Sequence, residues 1–200
     1  MGRSCMERSR VGELHYIAPV VNLPSMAQWG LVSHNLAQKV RHASVAAAEI
    51  QDRRTGKRVP QGLLLHDYVN LYFDARNPMM SRLSNEACPP IVVLRIDPSV
   101  LDLPNAIIAD GNAAAGNTRF HPSPQGLAHL DADLVYARWW TDNDRIIYWE
   151  KKRKRCAEVL IPQRVAVEFI KGAYVCDMHG TEACQRLGIG GEVNNDIFFK

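Results

Sequence analysis

Little in this 200-residue chain suits a disulfide-braced, metal-built or membrane-spanning protein. Its five cysteines, Cys5, Cys88, Cys156, Cys176 and Cys184, are odd in number and widely spaced, with no CxxC pair. That argues against both a disulfide framework and a zinc site and suits a reducing cytosol. Carboxylates and histidines form no cluster at ligand spacing, which disfavours a metal-dependent nuclease and sets the expectation of no metal. The glycines match neither GxGxxG nor GxxxxGK[ST], so Rossmann and Walker devices are absent. No apolar run is long enough to cross a bilayer. The N-terminal Met1 to Arg8 has no apolar core for a signal peptide, and Met6 stands where a myristoylation motif wants Ser or Thr. The expectation is a cytoplasmic protein with no membrane contact. The formal net charge is only +3, so any attraction to a polyanion must come from local clusters.

What is present is enough apolar material, 46% of residues, for one real core. Residues 1–12 read as a flexible, charged N-terminus and 13–200 as a single domain. A strand at Leu14–Ala18 delivers the chain to a helix near Asn22–Leu31, with Asn22 as cap, Pro24 in the first turn and Gly30 as a left-handed exit. Tyr68, Val69, Leu71, Tyr72 and Phe73 suit a buried strand. After Pro89-Pro90, residues Ile91–Ile96 form the clearest buried strand.

Two stretches carry chemistry. Asp52-Arg53-Arg54-Thr55-Gly56-Lys57-Arg58 packs four cations around a turn, a solvated hairpin or a phosphate clamp. Lys151-Lys152-Arg153-Lys154-Arg155 runs into a strand bearing one carboxylate, Glu158, between apolar neighbours. Alternation turns Glu158 away from the face of Ala157, Val159 and Ile161, either to water or into a cleft. Cations beside a lone acid and the aromatics Trp139, Trp140, Tyr148 and Trp149 suit an enzyme acting on a polyanion. A non-catalytic binder of unpaired nucleic acid uses the same ingredients.

Taken in order, several of these pieces resemble the DarT family, bacterial toxins that use NAD to attach ADP-ribose to bases in single-stranded DNA. The matching stretches are Asn22-Leu23-Pro24-Ser25 with Gly30-Leu31, Gln51-Asp52-Arg53-Arg54, Leu65-His66-Asp67-Tyr68-Val69 with Tyr72-Phe73, Arg76-Asn77-Pro78-Met79-Met80, Asp110-Gly111-Asn112-Ala113 and Ala157-Glu158-Val159-Leu160. The resemblance implies an α+β ADP-ribosyltransferase fold, two small packed sheets with flanking helices and NAD in the split between them. It implies Glu158 as the catalytic glutamate, with Arg53, slightly favoured over Arg54, on the pyrophosphate. His15, Tyr16, Asn22, Tyr68 and Tyr72 would complete the NAD pocket. Tyr16, rather than His15, stands six positions before Asn22, where relatives carry a histidine. Residues 121–155 would read the substrate, with Met79, Arg95, His121, Arg153 and Arg155 on the DNA side. Thymine is the first expected target and guanine the second. The implied partner is a macrodomain antitoxin. An NAD-dependent RNA-modifying enzyme of the same fold, or a binding module without NAD, remains the alternative.

Overall fold

The computed structural model describes residues 4–86 and 90–200; Met1–Arg3 and Ala87–Pro89, which include Cys88 and the first proline of Pro89-Pro90, lie outside them. The described residues form ten strands: β1 (Leu14–Pro19), β2 (Leu31–Val32), β3 (Tyr68–Tyr72), β4 (Ile91–Ile96), β5 (Ile107–Ala109), β6 (Phe120–Pro122), β7 (Glu158–Pro162), β8 (Arg164–Val165), β9 (Ile170–Val175) and β10 (Gly191–Val193). The helices are α1 (Leu23–Trp29), α2 (His34–Ala37), α3 (Ala48–Arg54), α4 (Pro78–Asn85), α5 (Ala132–Val135), α6 (Arg145–Lys154) and α7 (Met178–Gln185). None is long and apolar enough to cross a membrane.

Eight strands join in one mixed sheet of order β10-β9-β4-β1-β3-β7-β5-β6, and β2 pairs with β8 in a small ribbon. This corrects the expectation of two packed sheets. The two halves of the large sheet meet at β1 and β3 through a single residue pair, His15 opposite Tyr72. By contrast, β1 follows β4 from Leu14 to Pro19, and β3 follows β7 from Tyr68 to Glu158's partner Tyr72. Beyond His15 the central strands therefore part, and their separation opens the sheet where a closed ladder would leave no room for a ligand.

Apolar residues cover both faces of the sheet. Leu14, Leu71, Val92, Leu94 and Val159 belong to one cluster, and Ile17, Met80, Val93 and Phe198 to another. Burial on both sides explains why β4 reads as a continuous apolar run rather than an alternating one. Residues expected to be loose also join this packing from residue 4 onward. Cys5 bridges to Asp131, and Met6 and Val11 enter the larger core cluster, so burial of two apolar side chains holds down a charged segment.

Gly30 leaves α1 with φ 71°, and a Cβ there would lie 2.2 Å from the Val165 carbonyl oxygen. Asn22 does not cap α1 as expected. Its side-chain amide donates to the Ala43 carbonyl at 2.7 Å and its oxygen accepts from Ala43 N–H at 2.8 Å. The amide thus pins the 40–47 loop to the start of α1 in place of closing the helix. Asn77 does cap α4, accepting from the N–H groups of Met79 and Met80 at 2.9 and 3.1 Å, with Pro78 in the first turn.

Candidate active site

The parted strands and the loops around them enclose a cleft of about 640 Å³, a size that takes a nucleotide-scale ligand. Its walls include Tyr16, Asn22, Arg53, Tyr72, Met79 and Lys152. Arg54 lies on its inner side, and behind Arg54 sits Glu158, which is 0% exposed.

Alternation along β7 sends Val159 and Ile161 into the core and turns Glu158 to the opposite face. Tyr72 of β3 pairs directly with it in the ladder. One nitrogen of Arg54, Nη2, donates to both Glu158 oxygens at 2.8 and 2.7 Å. The N–H of Ala113 donates to Oε1 at 3.1 Å. A carboxylate taken out of water is costly unless paired and hydrogen-bonded, and these two donors supply both conditions. Burial works against the Arg54 charge, but the Glu158 carboxylate outweighs it and holds the guanidinium protonated. Burial, reinforced by the Glu158 charge, pushes the Cys156 thiol up to about 12 and the Tyr72 phenol well above its usual range.

Two segments distant in sequence deliver those donors. The last turn of α3 carries Arg54, and the Asp110–Ala113 turn carries the amide. Lys57, three residues beyond Arg54, joins them by donating to the carbonyls of Ala113 and Ala115 at 2.6 and 2.7 Å. Its pKa is lowered, first by burial and then by the Arg54 charge. Sequence reading missed Lys57, because nothing local shows that the basic turn folds over a loop more than fifty residues away.

The predicted site residues fall into three groups. Tyr16, Asn22, Arg53, Arg54, Tyr68, Tyr72, Met79 and Arg153 all border the cleft. Within that group Arg53 is exposed, whereas the Tyr68 hydroxyl is engaged, accepting from Leu63 N–H at 3.1 Å. Tyr72 donates to Met79 Sδ at 3.4 Å.

His15, Arg95 and His121 lie apart from the cleft lining. The His15 ring meets Glu13 through Nε2 at 3.0 Å, and Arg95 Nε donates to the same carboxylate at 2.8 Å. Tyr174 donates to it as well, at 2.9 Å. The His15 contact heads the causes that bring Glu13 to about 2, against an opposing burial effect. His121 stacks on His129 with ring centroids 3.9 Å apart.

Arg155 forms the third group, and its expected place on the DNA side is corrected. It is 2% exposed and donates to the carbonyls of Ala137 and Val135 and to Asp74 at 2.7, 2.8 and 2.8 Å. It is an internal pin between β7's approach and the 135–137 segment.

The basic run itself is the last turn of α6, and most of it is neutralised. Lys151 pairs with Asp142 at 2.7 Å, Arg153 with Asp110 and Glu150 at 2.9 and 2.8 Å, and Lys154 with Asp110 at 2.9 Å. Arg54, not the run, is the cation that holds Glu158.

A centrally parted sheet over a cleft, with one buried glutamate gripped by an arginine at its inner wall, places the chain among the ADP-ribosyltransferases. Within that class it belongs to the DarT family: the family model of the ssDNA thymidine ADP-ribosyltransferase DarT matches residues 15–190. It is 30% identical over 159 residues to a DNA ADP-ribosyl transferase of Thermus sp. strain 2.9, covering 74% of this chain and 73% of that protein. It is 28% identical over 179 residues to a DNA ADP-ribosyl transferase–DNA ADP-ribosyl glycohydrolase fusion protein of Thermosipho africanus, covering 84% of this chain but only 43% of the fusion. The fold matches Thermus sp. 2.9 DarT in complex with ADP-ribosylated ssDNA at a TM-score of 0.84 and 23% identity, over 98% of this chain and 100% of that one.

Proposed function

We propose that this chain transfers ADP-ribose from NAD+ to a thymidine base of single-stranded DNA, with release of nicotinamide. The observation that carries the proposal is Glu158, wholly buried directly behind the cleft-lining Arg54 and held by Arg54 and the Ala113 amide. The family's description supplies the substrate class, and relatives of this fold are known bound to NAD+ and to ADP-ribosylated ssDNA. The cleft fits a dinucleotide, with Arg53 exposed on its wall for the pyrophosphate and Tyr16, Asn22 and Tyr72 around it.

Cleavage of the bond from ribose C1′ to nicotinamide leaves its electron pair with nicotinamide and positive charge on the sugar. Glu158 is the carboxylate that stabilises this charge. Thymine has one ring N–H, at N3; as its nitrogen bonds to C1′, the proton passes to Glu158. Pairing occupies that N–H in a duplex, so an unpaired strand is the reactive form. Arg54 sets the carboxylate's direction, and a phosphate entering the cleft offers it a second anionic partner. The Thermosipho relative carries a glycohydrolase in the same chain, which supports a partner that removes the ADP-ribose and restrains a toxin.

Incubating the protein with NAD+ and a mixed-sequence single-stranded oligonucleotide is expected to give a DNA adduct one ADP-ribose heavier, located on thymine by fragmentation. RNA modified in preference to DNA would move the reading to the RNA enzyme. Intact NAD+ with DNA bound would leave a binding module.

Lys57 supplies a second prediction. Hydrogen bonds from a charged donor contribute about 1.5–3 kcal/mol, and here they hold the amide that aims Glu158. Lys57→Met is expected to lower kcat by about tenfold with KM for NAD+ nearly unchanged, and Lys57→Arg to recover part of it. A proportional rise in KM would instead show that Lys57 acts on NAD+ binding.

A further inference from the structure

One stripe of α6 is unlike the rest of the basic run. Residues Arg145, Tyr148, Trp149 and Lys152 recur at the three- and four-residue spacing that places them on one helix face. Trp149 is 53% exposed, and its ring meets Tyr148 edge to face at 5.2 Å. Lys152 Nζ lies 5.0 Å from the Trp149 ring centroid and 5.6 Å from that of Tyr148. Trp149 and Lys152 also border the cleft, while Arg145 is exposed at the other end of the stripe, about 10 Å away along the helix.

The charge pattern sharpens the contrast. Lys151, Arg153, Lys154 and Arg155 each pair with a carboxylate. Among the described residues, neither Arg145 nor Lys152 forms an ion pair. The helix therefore neutralises the cations that serve its own packing and leaves uncompensated the two that flank exposed Trp149 and half-buried Tyr148. An amphipathic face needed only for folding would bury Tyr148 and Trp149 or surround them with mixed charge. Asp144 caps this helix through the N–H groups of Ile146 and Ile147 at 2.7 and 3.1 Å, which fixes the stripe's orientation before any partner arrives.

We propose that the Arg145–Tyr148–Trp149–Lys152 stripe is a docking track for the single-stranded DNA that flanks the target nucleotide. Trp149 and Tyr148 stack on bases further along the strand than the immediate neighbours of the target, and Lys152 and Arg145 face the phosphates between them. Every base has a π-face, so stacking tolerates sequence, while unneutralised cations follow the backbone. The track extends the substrate grip beyond the cleft. It rests on the reading of single-stranded DNA as substrate but assigns these side chains a role outside the chemistry.

The test compares binding of a fluorescein-labelled 12-nucleotide single strand, a tetranucleotide with the same central thymine, and the 12-mer as duplex. Anisotropy is read with otherwise wild-type protein in the absence of NAD+, so that no turnover occurs. Trp149→Ala is expected to weaken the single-stranded 12-mer about tenfold or more and the tetranucleotide no more than about twofold, with Trp149→Phe close to wild type. Lys152→Ala combined with Arg145→Ala is expected to flatten the salt dependence of 12-mer binding. Equal losses for both lengths, or duplex binding that falls in parallel, would overturn the track. Full 12-mer affinity in Trp149→Ala would do the same. A separate assay with NAD+ distinguishes failure of the underlying reading: an unmodified oligonucleotide that still loses affinity in Trp149→Ala removes the enzyme activity and leaves the track.

Discussion

Glu158→Gln is expected to reduce ADP-ribose transfer by about three orders of magnitude, or about 4 kcal/mol of transition-state stabilisation. The amide keeps the shape of the carboxylate and an oxygen for the Ala113 N–H, so the cleft stays formed. What disappears is the negative charge facing the sugar as nicotinamide departs, together with the acceptor for the thymine proton. Removing a single preorganised electrostatic contact typically costs 10²–10³ in rate, and here one group is asked to do two such tasks. Glu158→Asp retains the charge but draws it back by one methylene, and a misplacement of about 1 Å costs roughly a hundredfold. The aspartate variant should therefore lie between glutamine and wild type. Adduct formation is the readout, with NAD+ affinity measured beside it. More than a tenth of wild-type turnover in Glu158→Gln would return this glutamate to the status of a buried structural acid.

The contrast between Glu158 and its surroundings explains what the sequence could disclose. A lone carboxylate between apolar strand neighbours is visible as a break in a local pattern, because strand alternation has a fixed period. The same alternation marks β1 as a strand but cannot say which of His15 and Tyr16 meets the cleft. That depends on how far β3 follows β1 before parting from it, and the two strands are some fifty residues apart. The cations were visible and their distant partners were not: Asp74 and Asp110 approach the end of α6 only through the fold. A charge run read alone therefore exaggerates its openness to ligands. Arg53 and Arg54 are the sharpest case, since adjacent helical residues point about 100° apart and only packing decides which is buried. The single sheet escaped notice for a related reason: among the described residues one ladder pair, His15 with Tyr72, links the backbones of its two halves.

Arg54→Met is expected to be the more damaging substitution for stability, although it removes the partner rather than the proposed catalytic group. The two members of the ion pair are unequal in their access to water. Arg54 borders the cleft on a long side chain, so when Glu158 is neutralised the guanidinium can swing toward solvent. Glu158 is fixed in the interior of β7 with no exposed surface, and without Arg54 it retains only the Ala113 amide. Breaking a buried pair in this way costs about 3–5 kcal/mol, which in a domain of this size lowers Tm by roughly 6–20 °C. Combining Arg54→Met with Glu158→Gln removes the stranded charge and is expected to recover most of that loss, the signature of direct coupling in a double-mutant cycle. Thermal unfolding of wild type, both single variants and the double variant checks this. If the double variant is less stable than Arg54→Met by the full Glu158→Gln increment, the pair is uncoupled and Glu158 is held by other groups. If it recovers, one arginine holds the proposed catalytic carboxylate in place away from water, and a bound phosphate can then draw that arginine aside.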